Sequence, residues 1–175
     1  RSASAGALYS EGGVVYLHKG TIPGVTPAEG KHGILGYAGV TIAGGVQNIS
    51  LSGDAPKGVK SDGKISFLGG RTTIINKGAA VWEEDENDYS AAACVKGADI
   101  VVDGSTLLCY ATGNGGKGVR AENTMTVKSG TVKVITEGQN LVRINNADRA
   151  YTSTDNLSGT VIDANPKGIH VGDKD

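Results

Sequence analysis

Residues 57–74 read KGVKSDGKISFLGGRTTI, and residues 117–134 read KGVRAENTMTVKSGTVKV. Laid over each other without a gap, they match Val59 with Val119, Lys60 with Arg120, Ile65 and Phe67 with Met125 and Val127, Gly70 with Gly130, and Ile74 with Val134. Self-similarity of this kind marks a repeat architecture. CVKGADIVVDGSTLL at 94–108 is a further copy, one residue shorter across its first turn. It places Val95, Lys96, Ile100, Val102, Gly104 and Leu108 on the same positions. VTIAGGVQNI at 40–49 matches the middle of the unit, and KGIHVGDKD at 167–175 opens another with Lys167, Gly168, Ile169 and His170.

Within one unit, Ile65 and Phe67 share a strand face, Thr72 and Ile74 share another, and the parity breaks between them at Gly69-Gly70. A second break falls at Asp62-Gly63, between Val59 and Ile65. Each unit therefore reads as three short strands and two turns, with inward residues alternating along each strand. A unit of roughly 20–25 residues cannot bury its apolar face alone and must stack on its neighbours. The expected fold is all-β, a three-sided parallel β-helix, right-handed by extension from ordinary parallel crossovers. One domain over 1–175 is expected, with loosely patterned coils at 1–38, regular coils at 39–138, an irregular coil or insertion at 139–166, and the start of a further coil at 167–175.

Composition agrees with that reading. One Phe, one Trp and one Met leave the core to Val, Ile, Leu, Thr and Ala, and 28 glycines between short β-branched runs indicate many tight turns. Pro23, Pro27 and Pro56 precede the first full copy and suit loops. No helical period is present. The 17 basic and 18 acidic residues nearly cancel, which removes any general case for nucleic-acid binding. No apolar stretch is long enough to span a membrane, so no membrane insertion is expected. The start at Arg1 suits a processed mature form. Asn48-Ile49-Ser50 and Asn156-Leu157-Ser158 match the glycosylation tripeptide. Cys94 and Cys109 lie in one unit; the preferred reading is that both are small buried fillers, with a disulfide as the alternative.

Candidate functional residues follow from the repeat. The position after the first inward residue is basic in each copy, as Lys60, Lys96, Arg120 and His170. Stacked in register, these side chains stand about 4.8 Å apart on the outer face, and like charges at that distance repel by about 1 kcal/mol even in water. An anion relieves that repulsion, and a polyuronate chain with regularly spaced carboxylates suits such a column. The competing reading pairs these bases with Asp62, Asp99, Glu122 and Asp173, two or three positions later in the same copies. Those acids are also candidate calcium ligands, since calcium takes carboxylate, carbonyl and water oxygens. Trp82-Glu-Glu-Asp-Glu-Asn-Asp88 reads as a loop bulging from the stack. It is either a solvated charge run or a cation site through Asp85 and Asp88 with Trp82 and Tyr89 as sugar platforms. No zinc spacing links His18, His32 and His170, and no nucleophile motif is present.

The stretches KGVKSDGKISFLGG, AAACVKGADIVVDGSTLLCYATGNGGKGVRAENTMTVKSGTVKVITEG and ANPKGIHVGDKD resemble the carbohydrate-binding β-helix family of secreted bacterial proteins, over about residues 38–138 and the last dozen. That resemblance implies a right-handed parallel β-helix shaped like pectate lyases, with calcium on the solenoid and glycan binding in place of catalysis. It points to a secreted or cell-surface polysaccharide binder. Two alternatives accompany it: a fibre or adhesin subunit whose open C-terminal coil is covered by self-association or by a further polypeptide segment, since exposed strand edges recruit other strands, and a calcium-dependent polysaccharide lyase with a Lys or Arg base.

Overall fold

A computed structural model describes residues 6–151 and 162–172. The first three strands, β1 (Gly6–Ser10), β2 (Val14–Leu17) and β3 (Thr21–Val25), form one tier. Two more tiers follow: β4 (His32–Gly36), β5 (Gly39–Ile42) and β6 (Val46–Leu51), then β7 (Lys57–Lys60), β8 (Lys64–Phe67) and β9 (Arg71–Asn76). A hairpin, β10 (Val81–Glu83) and β11 (Asp88–Ser90), interrupts the series. The tiers resume in two long strands, β12 (Ala93–Ala111) and β13 (Lys117–Thr136), each running through all three segments of its unit. Beyond them lie β14 (Asn140–Ile144), β15 (Ala147–Tyr151), β16 (Ile162–Ala164) and β17 (Lys167–Val171).

The described residues contain no helix, and the tiers pair in parallel within one twelve-stranded sheet. Three ladders run through it. The first joins β1, β4, β7, β12, β13 and β17; the second joins β2, β5, β8, β12 and β13; the third joins β3, β6, β9, β12 and β13. Residues with the same role in successive tiers are thus strand neighbours, spaced by about 4.8 Å. Val59, Val95 and Val119 stand in one column, extended by Ile34 and Ile169. Val40, Ile65, Ile100 and Met125 form a second, and Ile42, Phe67, Val102 and Val127 a third.

These columns are the core. Ile34, Val40, Ile42, Val59, Ile65, Phe67, Ile74, Val95, Ile100, Val102 and Val119 have no solvent exposure and belong to one cluster. A single tier would leave them wet on both edges, so the hydrophobic gain belongs to the stack as a whole. Polar side chains that enter the interior are satisfied there. Gln47 Nε2 donates to Gly44 O at 2.9 Å, and Thr72 Oγ1 donates to Gln47 Oε1 at 3.1 Å. Asn76 Nδ2 donates to Pro56 O and Ala93 O, both at 2.9 Å, while its Oδ1 accepts from Gly78 N at 3.0 Å. Those bonds secure the chain where it leaves the third tier and where it re-enters after the hairpin.

Glycine holds the turn between the second and third segments because the backbone there has positive φ and touches the tier below. Gly70 has a φ of 70°, and a Cβ on it would lie 2.1 Å from Gly45 O. Gly45 and Gly130 sit in the same way above Gly20 and Ser105. No L-residue side chain fits such a position without displacing the neighbouring backbone.

The structure refines the sequence reading at two places and corrects it at one. Ordered pairing begins at β1, so much of the 1–38 stretch already stacks in register with the next tier. Past Val102, β12 is bulged at Asp103–Ser105. Thr106 then pairs with Arg71 and Thr131, Leu108 with Thr73 and Lys133, and Cys109 with Ile74 and Val134. The alignment that set Gly104 on Gly70 and Leu108 on Ile74 is therefore one residue out; Ser105 pairs with Gly130, and Cys109 takes the inward position. Ile100 pairs with Ile65, Val102 with Phe67 and Cys109 with Ile74 at one constant offset, so the residue lost at the first turn shifts every later position of this unit.

Finally, NLVRI at 140–144 is a strand of a separate antiparallel sheet in the order β15, β14, β16. Asn145 and Asn146, with φ of 50° and 61°, make the two-residue turn that folds β15 back on β14.

Phe67→Ala removes the largest fully buried side chain of the stack. It is expected to lower unfolding free energy by about 3–5 kcal/mol in urea titrations, whereas Leu68→Ala, at a site 45% exposed, should change it by about 0.5 kcal/mol or less.

Candidate functional site

The basic positions form an unbroken column. Lys60 pairs with Lys96, Lys96 with Arg120, and Arg120 with His170 across the first ladder. Each lies next to an inward valine or isoleucine and is itself partly exposed. Three of the four, Lys60, Lys96 and Arg120, line a cavity of about 380 Å³ that His170 does not reach.

The hairpin β10–β11 walls one side of this cavity. Val81, Glu83, Glu86, Tyr89, Ser90 and Ala91 face the ladder residues His32, Lys57, Lys60, Ala93, Lys96, Lys117 and Arg120 across it. Lys57 Nζ donates to Ser90 Oγ at 3.1 Å and so fastens β11 to β7. Lys117 Nζ donates to Asn165 O at 2.7 Å. The lining holds five cations, Lys57, Lys60, Lys96, Lys117 and Arg120, against three carboxylates, Asp54, Glu83 and Glu86. The surplus is positive although the chain as a whole carries −1. Arg120 Nε is buried without a hydrogen-bond partner among the described residues, an unfavourable arrangement for a guanidinium donor that a bound anion would correct.

His32 reports on this environment. Its Nδ1 accepts a hydrogen bond from Lys57 N at 3.1 Å, which leaves the ring proton on Nε2 of the neutral imidazole. Burial, then the nearby charges of Lys57, Lys60, Lys31 and Lys96, push its pKa down to about 4. The cavity thus contains a ring that stays neutral because it is dehydrated and surrounded by cations.

Lys57, Lys117 and His32 were not singled out from the sequence. A signal existed: Lys57, Lys117 and Lys167 open the repeated KG(V/I) phrase, and Lys117 pairs with Lys167. By alternation Lys57 shares the parity of inward Val59, so the repeat alone assigns it to the interior. The strand begins at Lys57, and the side chain reaches Ser90 instead.

The acidic candidates do not share a column. Asp99 pairs with Lys64 on one side and Thr124 on the other, and its Oδ1 accepts from Thr124 Oγ1 at 2.6 Å. Glu122 falls in the irregularity opposite Gly97–Asp99, where its Oε1 lies 3.9 Å from Lys96 Nζ. Asp62 is exposed in the turn between β7 and β8. Asp173 lies outside the described residues. Asp85 is exposed at the hairpin tip, and Asp88 Oδ1 accepts from its neighbour Tyr89 N at 2.7 Å. Among the described residues no three His, Cys, Asp or Glu side chains assemble a cage for a metal ion.

Trp82 and Tyr89 pack together edge to face, with ring centroids 5.3 Å apart. The Arg143 guanidinium covers Trp82 at 4.5 Å, and Tyr89 OH donates to Asp148 Oδ1 at 2.8 Å. Arg143 also pairs with Glu84 and with Asp148. Tyr89 is buried with Ala80, Leu141 and Ala164, with Trp82 and Ala91 against them. The two rings thus join the hairpin to β14 and β15, and the two interruptions of the repeat support each other at one side of the basic column. Of the glycosylation tripeptides, Asn48 is exposed on β6 with Nδ2 donating to Pro23 O at 3.4 Å, and Asn156 lies outside the described residues.

No family model matches this chain, and neither a curated protein nor a solved structure does.

Two outcomes are expected from the state of His32. Its imidazole should titrate near pH 4 by NMR. Because the unfolded chain binds that proton near pH 6.5 and the folded chain resists it to about pH 4, the unfolded state holds more protons in between. Stability is then full above about pH 6.5 and falls as pH drops through that window. Denaturation curves for His32→Gln should lack this component of the slope.

Proposed function

We propose that the chain is a right-handed parallel β-helix that binds acidic polysaccharide, without catalysis, in a secreted or cell-surface setting. The supporting observation is the in-register stack Lys60, Lys96 and Arg120 on one wall of a cavity with a cation surplus and an unpartnered buried Arg120 Nε. A strand ladder fixes the cations at the separation at which they repel, so the free site carries an electrostatic cost. A uronate carboxylate lowers that cost and supplies the acceptor that the guanidinium lacks. Parallel pairing of successive tiers and the sequence resemblance to carbohydrate-binding β-helices agree with this reading.

The cavity defines the ligand further. Its volume of about 380 Å³ falls in the range of about 300–1,000 Å³ typical of small-ligand sites. A wall at the hairpin suits a chain end or a short uronate segment better than a long polymer lying along an open strand face. No step of this reading runs through calcium.

A second reading, end-to-end self-association, is supported by the sheet edges. Among the described residues the Thr124–Thr136 stretch of β13 pairs with β12 alone, and Val127 in it is half exposed. At the opposite end Val14 and Tyr16 of β2 are exposed. Open edges of this kind accept further strands, and concentration-dependent sedimentation tests the idea directly.

Calorimetry against oligogalacturonate and oligoalginate should show binding that weakens with salt, and none to uncharged cello-oligosaccharides. Lys96→Ala and Arg120→Ala should each weaken it about tenfold or more, the equivalent of one charged hydrogen bond. No unsaturated uronide should accumulate by ultraviolet absorbance. Equal affinity for charged and neutral oligosaccharides, or unaltered affinity in both variants, would rule out the basic column as the binding element.

A further inference from the structure

Two interior columns face each other across the core. One belongs to the first ladder and contains Gly33, Gly58, Gly118 and Gly168 at successive levels. Cys94 takes that place in its own tier, because Ala93 and Val95 on either side of it pair with Lys57 and Val59 below and with Lys117 and Val119 above. The other column belongs to the third ladder and contains Ile49, Ile74, Cys109 and Val134.

In the other tiers the pair is glycine against a β-branched residue, and the fit is tight. A Cβ at Gly33 would lie 2.8 Å from Ile49 Cγ2, at Gly58 2.6 Å from Ile74 Cγ2, and at Gly118 2.0 Å from Val134 Cγ1. Glycine is needed because its partner fills the space. The tier of β12 changes both members at once: a side chain appears at position 94, and the branched residue opposite is replaced by unbranched Cys109. That double change conserves volume, the kind of swap a packed core tolerates.

The same distances bring the two sulfurs together. Adding one C–C bond of about 1.5 Å to these separations leaves facing Cβ positions no more than about 4.3 Å apart in the neighbouring tiers. A disulfide bridges Cβ atoms about 3.5–4.5 Å apart. Both cysteines are fully buried and present as thiols, and Cys94 Sγ lies 3.9 Å from Ile74 O, in the third ladder. The Cys109 thiol is held well above its usual pKa by its hydrogen bond with the Cys94 side chain and by burial, so the folded pair is inert to direct attack and exchanges only when the tier opens or while it forms.

We propose that Cys94 and Cys109 form an intrachain disulfide that staples the first segment of this tier to its third when the protein folds in an oxidising compartment. Each thiol gives up its proton, the two sulfurs form one bond, and the two electrons pass to a disulfide oxidant, whose own S–S bond opens to two thiols. The staple closes the tier that begins directly after the hairpin and carries Lys96 two residues beyond Cys94. It therefore secures the strand forming the middle of the basic column, at the point where the inserted hairpin breaks the rhythm of the stack.

Refolding the full chain from denaturant with oxidised and reduced glutathione tests this. Expected are the loss of both thiols in a denaturing thiol assay, a peptide map joining the segments that contain Cys94 and Cys109, and a melting midpoint about 5–10 °C above that of the reduced protein. The double variant Cys94→Gly with Cys109→Val restores the pair used by the neighbouring tiers, and its midpoint should not respond to reductant. Two free thiols in the folded, oxidatively refolded protein would overturn the proposal. So would a bridge between two chains, or an internal bridge that leaves the midpoint unchanged or lowers it.

Discussion

Parallel register is the interaction on which the rest of this molecule depends. Each strand hydrogen-bonds to the strand that holds the same role one tier away, so a residue's neighbour above and below is its own counterpart in the repeat. An inward valine is covered by valine, and the large Phe67 stacks between Ile42 and Val102. The same constraint applies on the outside, where it acts against stability. A lysine that would be harmless on a single tier becomes one of a row of cations when every tier places one there.

Function, in this reading, arises from that cost. The ladder sets the spacing of Lys60, Lys96 and Arg120, and the hairpin closes one side of the space beside them. The hairpin itself is positioned by contacts outside the repeat and by one lysine of the repeat. Arg143 joins Glu84 and Asp148, Trp82 and Tyr89 pack on each other, and Lys57 reaches Ser90. Two non-repetitive segments therefore convert a flat cationic strip into a concave site, in which His32 is held neutral by dehydration and by the charges around it.

Much of the stack was legible in the sequence because its signal is periodic. The match of KGVK with KGVR and KGIH set both the Val59, Val119 and Ile169 column and the basic column beside it. The alternation in KISF and RTTI gave the inward faces. The reading failed where periodicity stops. The unit at 94–111 is one residue short at its first turn, and aligning Gly104 on Gly70 put that residue back, whereas the pairing keeps the shortened offset through to Cys109. The aromatic pair Trp82 and Tyr89 suggested sugar platforms, but their apolar faces are used to pack the hairpin against β14 and β15. The acidic residues lie beside the first turn, where the copies differ in length, and so they fall at different levels of the ladder.

The sequence by itself determined the unit, its inward residues and the stacking of cations, because side-chain alternation and vertical repetition are local rules that each copy obeys separately. Only the tertiary structure decided that Cys109 rather than Leu108 faces Cys94, that Lys57 turns into the cavity, and that the two interruptions meet. Those outcomes depend on how a shortened turn carries through the pairing of a whole tier and on how segments that share no period pack against one another, which no single unit encodes.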